Sequence, residues 1–225
     1  MSNDTPNNDG PQMPLPLTHR IARGREAFLV SQSNAMAVAW IDKWPEWPQP
    51  LLVLAGPQGS GKSHLADVWR TRANALIGEA ADLTGAAVPA LLQADALVLE
   101  NIHRTRDHAA LFHLLNFARE NTKALLLTSA RTTHTLGFPL ADLASRLNAA
   151  PQAVLEEPDD ALLIQLIAKL FDERGVHVGA DMIDYIIKRI DRSAAAARDA
   201  VERIDRHALS HTKRLNIGVL REVLA

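Results

Sequence analysis

The sequence predicts an α/β fold: a parallel sheet with helices on both faces, followed by a small all-α unit. Three observations predict it. Four short apolar runs, "LLVLAG" from Leu51, "ALIGEA" from Ala75, "DALVLE" from Asp95 and "ALLLTS" from Ala124, alternate with segments of helical periodicity. The runs are apolar almost throughout, as strands buried on both faces are. After "QAVLEEP" (152–158) the strands stop, and the rest of the chain carries apolar residues at helical spacing.

Taken in order, residues 1–11 are rich in Ser, Asn, Asp, Pro and Gly and are expected to be disordered. "QMPLPL" (12–17) is apolar but punctuated by Pro14 and Pro16, so extended rather than helical. A helix is predicted from about Ser33 to Lys43, with Ser33 or Asn34 as its cap, and "WPEWPQP" breaks it. Residues 61–74 and 109–122 read as helices between the strands. The tail reads as helices over 159–174, 180–190, 193–211 and 217–224. The expected division is a leader over 1–20, an α/β core over 21–157 and a helical unit over 158–225.

With 225 residues, 47% of them apolar, the chain can fill one sizeable core and a small satellite. A net charge of −2 leaves no overall basic footprint for coating nucleic acid. The absence of cysteine excludes a disulfide framework and a thiolate metal site, and fits a cytoplasmic location. The polar start "MSNDTPNNDGPQ" is not a secretory signal, and no apolar run reaches the ~18 residues that cross a bilayer.

"GPQGSGKS" (56–63) satisfies the phosphate-loop pattern after a strand and before a helix, the context that the pattern demands. Its glycines let backbone N–H groups converge on phosphate oxygens, and the helix N-terminus adds partial positive charge. The candidate nucleotide-binding residues are Gly56, Pro57, Gln58, Gly59, Ser60, Gly61, Lys62, Ser63 and His64. Lys62 is expected on the β/γ-phosphates and Ser63 on Mg²⁺. "DALVLE" then delivers Glu100 as the metal-side acid, unless that carboxylate merely ends a core strand. Asn101 follows. An amide there orients water but takes no proton from it at neutral pH.

With the loop, the acid strand, "LLLTSAR" and the helical tail in this order, the chain resembles an AAA+ protein of the DnaA/Hda group. "FLVSQSNAMAVA", "LADLASRL" and "IIKRIDRSAAAARDAVERIDRHAL" narrow the resemblance to Hda-type regulators of the DnaA initiator, over about residues 12–225. It implies an AAA+ P-loop NTPase core with a small all-α lid, holding ADP or ATP with Mg²⁺. "QMPLPL" resembles the Q-x-x-L-x-L motif with which such proteins dock on the DNA polymerase sliding clamp. Gln12 offers an amide fork, Met13 lies inside the motif, and Leu15 and Leu17 offer apolar anchors on a Pro-stiffened segment. The plainer reading is a leader whose leucines pack on their own domain.

Arg146, in "LASRLN", falls at the family's arginine finger, a residue that reaches a neighbour's nucleotide. A surface pair with Asp142 is the alternative. The parts that act on the chain's own nucleotide are depleted. Ala130 stands where the resemblance implies a sensor acid, and Ala195 where it implies a sensor arginine, with Arg192 and Arg198 three residues to either side. The expectation is a negative regulator that binds nucleotide for shape, docks on the clamp and stimulates hydrolysis of DnaA-bound ATP in trans, with little or no ATPase activity of its own. Since the chain ends where the lid should end, no sequence-specific DNA binding is expected. Self-association stays open, as do a self-contained ATPase or small-molecule kinase, a helicase-loader-like adaptor and a nucleotide-independent scaffold. Trp40, Trp44 and Trp47 read as packing or as a base-stacking surface, and His207 with His211 as an exposed helix face or a metal pair.

Overall fold

The computed structural model describes residues 28–211 and 215–224. The leader and its candidate clamp-docking residues Gln12, Met13, Leu15 and Leu17 lie outside the described residues. The described elements run α1 (Ala35–Asp42), β1 (Leu51–Ala55), α2 (Lys62–Ala73), β2 (Leu76–Glu79), α3 (Val88–Leu91), β3 (Ala96–Glu100), α4 (His108–Glu120), β4 (Ala124–Ser129), α5 (Ala141–Ala149) and β5 (Gln152–Val154). Four helices follow: α6 (Asp160–Asp172), α7 (Ala180–Ile187), α8 (Ala194–Ser210) and α9 (Ile217–Val223).

The strands form one parallel sheet in the order β2-β3-β4-β1-β5. Because successive strand side chains point to opposite faces, each central strand divides between two cores. Val53, Leu97, Leu99, Leu125 and Leu127 join the cluster under α4 and α5. Leu52, Leu54, Ala96, Val98 and Leu126 join the one under α1 and α2. That double burial is why these strands read as unbroken apolar runs. Truncating one such leucine to alanine is expected to cost about 2–5 kcal/mol. β2 departs from that reading. Among the described residues it has one neighbouring strand, and Leu76 and Ile77 are about half exposed at the sheet edge.

Helices α6–α9 bury a third, separate cluster built on Leu163, Ile167, Phe171, Ile186, Val201 and Ile204. Polar caps set where several helices begin: Asp107 accepts from Ala110 N–H at 2.9 Å, Asp159 from Leu162 N–H at 2.7 Å, and Ser193 from Ala196 N–H at 3.0 Å. Asn34 occupies the N-cap position of α1 but does not cap it. Its side chain accepts from Ser31 N–H and donates to the Leu29 carbonyl, tying down the chain ahead of the helix. The tryptophans pack: Trp47 stacks on Trp69 of α2 at 5.3 Å between ring centroids, and Trp44 meets Trp69 edge-on at 5.9 Å. Among the described residues no helix is long and apolar enough to cross a membrane.

Candidate nucleotide site

The phosphate loop joins β1 to α2 at the carboxyl edge of the sheet, where parallel strands leave room for a ligand. Each glycine has its own reason. A Cβ on Gly56 would stand 2.3 Å from the Leu155 carbonyl oxygen, so the backbones of the β1 end and the chain after β5 meet too closely for a side chain. Gly59 and Gly61 take φ of +80° and +98°, which only glycine adopts without strain. Gly61 is also the N-cap of α2, so the cap position offers no side chain to the first-turn N–H groups of that helix.

Lys62 is buried and donates to the carbonyls of Gly56 and Pro57 at 2.8 and 2.7 Å. Burial pushes its ammonium below the usual lysine range, and the negative charge of Glu100 offsets part of that. Ser60 is buried, with its hydroxyl lacking a partner among the described residues. Pro57, Gln58 and Ser63 are exposed, and His64 stacks on Phe28 at 5.3 Å.

Glu100 is half-buried at the end of β3, and its Oε1 is buried with no hydrogen-bond partner among the described residues. An unpartnered carboxylate oxygen beside a phosphate loop fits a hard cation, and Mg²⁺ takes one or two protein ligands plus phosphate and water. Glu100 and the Ser63 hydroxyl are the groups that would hold it. Among the described residues no cluster of three His, Cys, Asp or Glu side chains could hold a metal unaided. Histidines 207 and 211 stack on each other at 4.2 Å, and His207 meets Glu222 at 3.0 Å.

Asn101 turns away from the loop. Its backbone is left-handed at φ +59°, its N–H donates to Thr128 Oγ1 at 2.9 Å, and its amide donates to both oxygens of Glu79 at 3.0 and 3.1 Å. Glu79 escaped the sequence reading, although "ALIGEA" and "DALVLE" both carry a glutamate near their ends and the register pairs Glu79 with Glu100. His103 was missed as well. It stands in the single helical turn after β3, and its Nδ1 accepts from Ala130 N–H at 3.2 Å. Burial, then the charges of Arg104, Lys62 and Arg131, hold the ring below the usual histidine range.

The helical unit reaches the loop directly. Ala194 N–H donates to the Gly59 carbonyl at 3.3 Å, and a Cβ on Gly59 would stand 2.5 Å from Ser193 Cβ. Phe28, Ser60, His64, Pro158, Leu162 and Arg198 line the cleft between them. Of the two arginines that flank Ala195, Arg198 therefore lines the cleft, while Arg192 pairs with Asp160 at 2.8 Å. Arg146 lies apart, on α5. Its guanidinium covers the Phe112 ring at 5.1 Å, and no ion pair with Asp142 forms among the described residues.

A parallel sheet in this order, with a phosphate loop after β1, an acid closing β3 and a helical unit seated on the loop, defines an AAA+ fold. Its fold is similar to those of DnaA and RuvB. The chain is 24% identical to the chromosomal replication initiator protein DnaA of Bacteroides fragilis, over 88% of this chain and 48% of that protein. It thus spans about half the length of that relative. It is also 24% identical to an uncharacterized protein of Haemophilus influenzae, over 95% of this chain and 98% of that one. Domain III of Thermotoga maritima DnaA superposes with a TM-score of 0.74 at 17% identity, over 94% of this chain and 99% of that chain. AMPPCP-bound DnaA from Aquifex aeolicus gives 0.70 at 20%, over 80% and 64%. The Thermotoga maritima RuvB Holliday junction branch migration motor gives 0.72 at 17%, over 91% and 72%. No family model matches the chain.

Proposed function

We propose that the chain is a nucleotide-holding regulator that acts on the ATP of another AAA+ protein, the DnaA initiator. The observation that carries this reading is the contrast within one site. The loop, its lysine and a cleft-lining arginine are in place, while Asn101 is bound to Glu79 and position 130 ends in a methyl group. The loop residues 56–64 hold ADP or ATP, with Ser63 and Glu100 on Mg²⁺. The AMPPCP-bound DnaA of the same fold supports a nucleotide at this loop.

In this reading Arg146 works in trans. A guanidinium brought to a γ-phosphate in transfer accelerates hydrolysis about 10³–10⁵-fold by stabilising the charge that develops on its oxygens. Lying over Phe112, Arg146 is not committed to a carboxylate among the described residues and can pair with a partner's phosphate. Gln12, Met13, Leu15 and Leu17 dock on the sliding clamp, so that a weak AAA+ contact gains from effective concentration. The product, DnaA–ADP, is inactive for initiation, which makes the chain a negative regulator of replication.

The test is hydrolysis of ATP pre-bound to DnaA, with DNA-loaded clamp and this protein. Clamp-dependent acceleration is expected, abolished by Arg146→Ala and by a Gln12/Leu15/Leu17→Ala variant. No acceleration, with steady ATP turnover by this protein alone, would sink the reading. Turnover by this protein alone, lost in Lys62→Ala and indifferent to Arg146→Ala, would instead favour the second reading, a self-contained ATPase.

A further inference from the structure

Position 130 contributes a backbone group rather than a side chain: its N–H donates to His103 Nδ1 at 3.2 Å. A ring nitrogen that accepts carries no hydrogen, so the proton of the neutral imidazole sits on Nε2. The ring therefore presents a fixed donor. Nε2 has no hydrogen-bond partner among the described residues.

The same bond fixes where the ring lies. Ala130 immediately follows β4, and β4 stands between β3, which ends in Glu100, and β1, which leads into the phosphate loop. The imidazole of His103 thus meets the end of β4, the strand that lies between the one closed by the metal-side acid and the one leading into the loop. Lys62 and Arg131 are close enough for their charges to act on it, so an anion would find the ring among positive groups. In a loop of this kind the lysine meets the β/γ-phosphates, and the terminal phosphate extends toward the metal-side acid.

We propose that His103 donates from Nε2 to the terminal phosphate of a nucleoside triphosphate held on the loop, and so sets the preference between triphosphate and diphosphate. The inference rests on the reading of residues 56–64 as a nucleotide site. It needs no titration, because the donor belongs to the neutral ring. A ring that only braces the turn after β3 through Ala130 would leave that preference unchanged.

The experiment measures binding of AMPPCP and of ADP to the full chain by calorimetry, for wild type, His103→Ala, His103→Gln and Lys62→Ala. Loss of one hydrogen bond to a charged group predicts AMPPCP weakened about tenfold or more in His103→Ala, with ADP changed less than about twofold. Glutamine, with an amide donor near the place of Nε2, is expected to recover part of the loss. In wild type, the ¹⁵N resonance of His103 Nε2 is expected to move with AMPPCP and not with ADP, a readout that does not depend on a variant folding. Equal weakening of both ligands, or of neither, overturns the role of His103 while Lys62→Ala still abolishes binding. Wild type that binds neither nucleotide overturns the site itself, and this inference with it.

Discussion

The amide of Asn101 donates to both oxygens of the Glu79 carboxylate, at 3.0 and 3.1 Å, across the β2–β3 pair. The amide that follows the metal-side acid is thereby occupied in holding the sheet edge. The bond and the backbone contribute separately, which variants can resolve. Asn101→Gly keeps the left-handed φ of +59° and loses only the bond, about 1 kcal/mol for a half-exposed hydrogen bond to a charge. Asn101→Ala loses the bond and also the tolerance of the left-handed region that a short polar side chain or a glycine has, at a further cost of ~1 kcal/mol. Urea denaturation is expected to rank wild type above Gly above Ala. Equal losses in the two variants would remove the backbone part of the argument.

Contact between the helical unit and the loop gives a second prediction. Gly59 has φ +80°, and a Cβ there would meet Ser193 Cβ at 2.5 Å. Gly59→Ala is expected to destabilise by about 1–3 kcal/mol through backbone strain and displacement of the α8 N-terminus. Ser193→Gly removes the opposing atom, and as an N-cap change costs only a few tenths of a kcal/mol. In a double-mutant cycle the pair is expected to couple by about 1 kcal/mol, with the double variant more stable than additivity predicts. Strict additivity would mean that α8 does not rest on the loop.

Arg146 and Phe112 give a third. A half-exposed guanidinium over a ring contributes about 0.5–1 kcal/mol, so Phe112→Leu is expected to change stability by little more than the packing it removes. Its larger effect is expected in trans, where losing the surface that orients Arg146 lowers stimulation of DnaA-bound ATP hydrolysis by about tenfold. Arg146→Lys keeps the charge but not the planar fork, and is expected to lose about 10³-fold with a near-unchanged melting temperature. Stimulation that survives Arg146→Lys would dismiss the finger.

How much of this was legible in the sequence follows from the range of each interaction. The phosphate loop, the strands at 51, 95 and 124 and the helices of the tail are local patterns, and periodicity and turn residues place them within a few residues of their observed bounds. What the sequence could not supply are contacts that exist only once the parallel register is set. Asn101 and Glu79 are 22 positions apart, and His103 and Ala130 are 27 apart. Each pair meets because β3 lies beside β2 on one side and β4 on the other. The choice between Arg192 and Arg198 depended likewise on how α8 sits on the loop, since both flank Ala195 at equal spacing. β2 was misjudged as buried because an apolar run does not reveal whether its strand lies at an edge.

A fourth prediction concerns Asp159, which caps α6 and also ties it to the segment before α1. Burial alone would raise its carboxyl, but hydrogen bonds from Leu162 N–H, Ser31 and Ser33 N–H, together with the charge of Arg192, hold it below the ordinary aspartate range. The sign follows directly. A folded-state pKa below the unfolded one stabilises the fold above the unfolded value, about 3.9, and that contribution is lost as pH falls through the folded value. Asp159→Ala is therefore expected to cost about 1 kcal/mol at pH 7, the usual worth of an N-cap. The gap between wild type and variant should narrow as denaturation is repeated below about pH 4. Chemical denaturation at a series of pH values measures it. A gap that stays constant as pH falls well below the unfolded value would show that the ionised carboxylate contributes nothing to joining α1, the core and the helical unit.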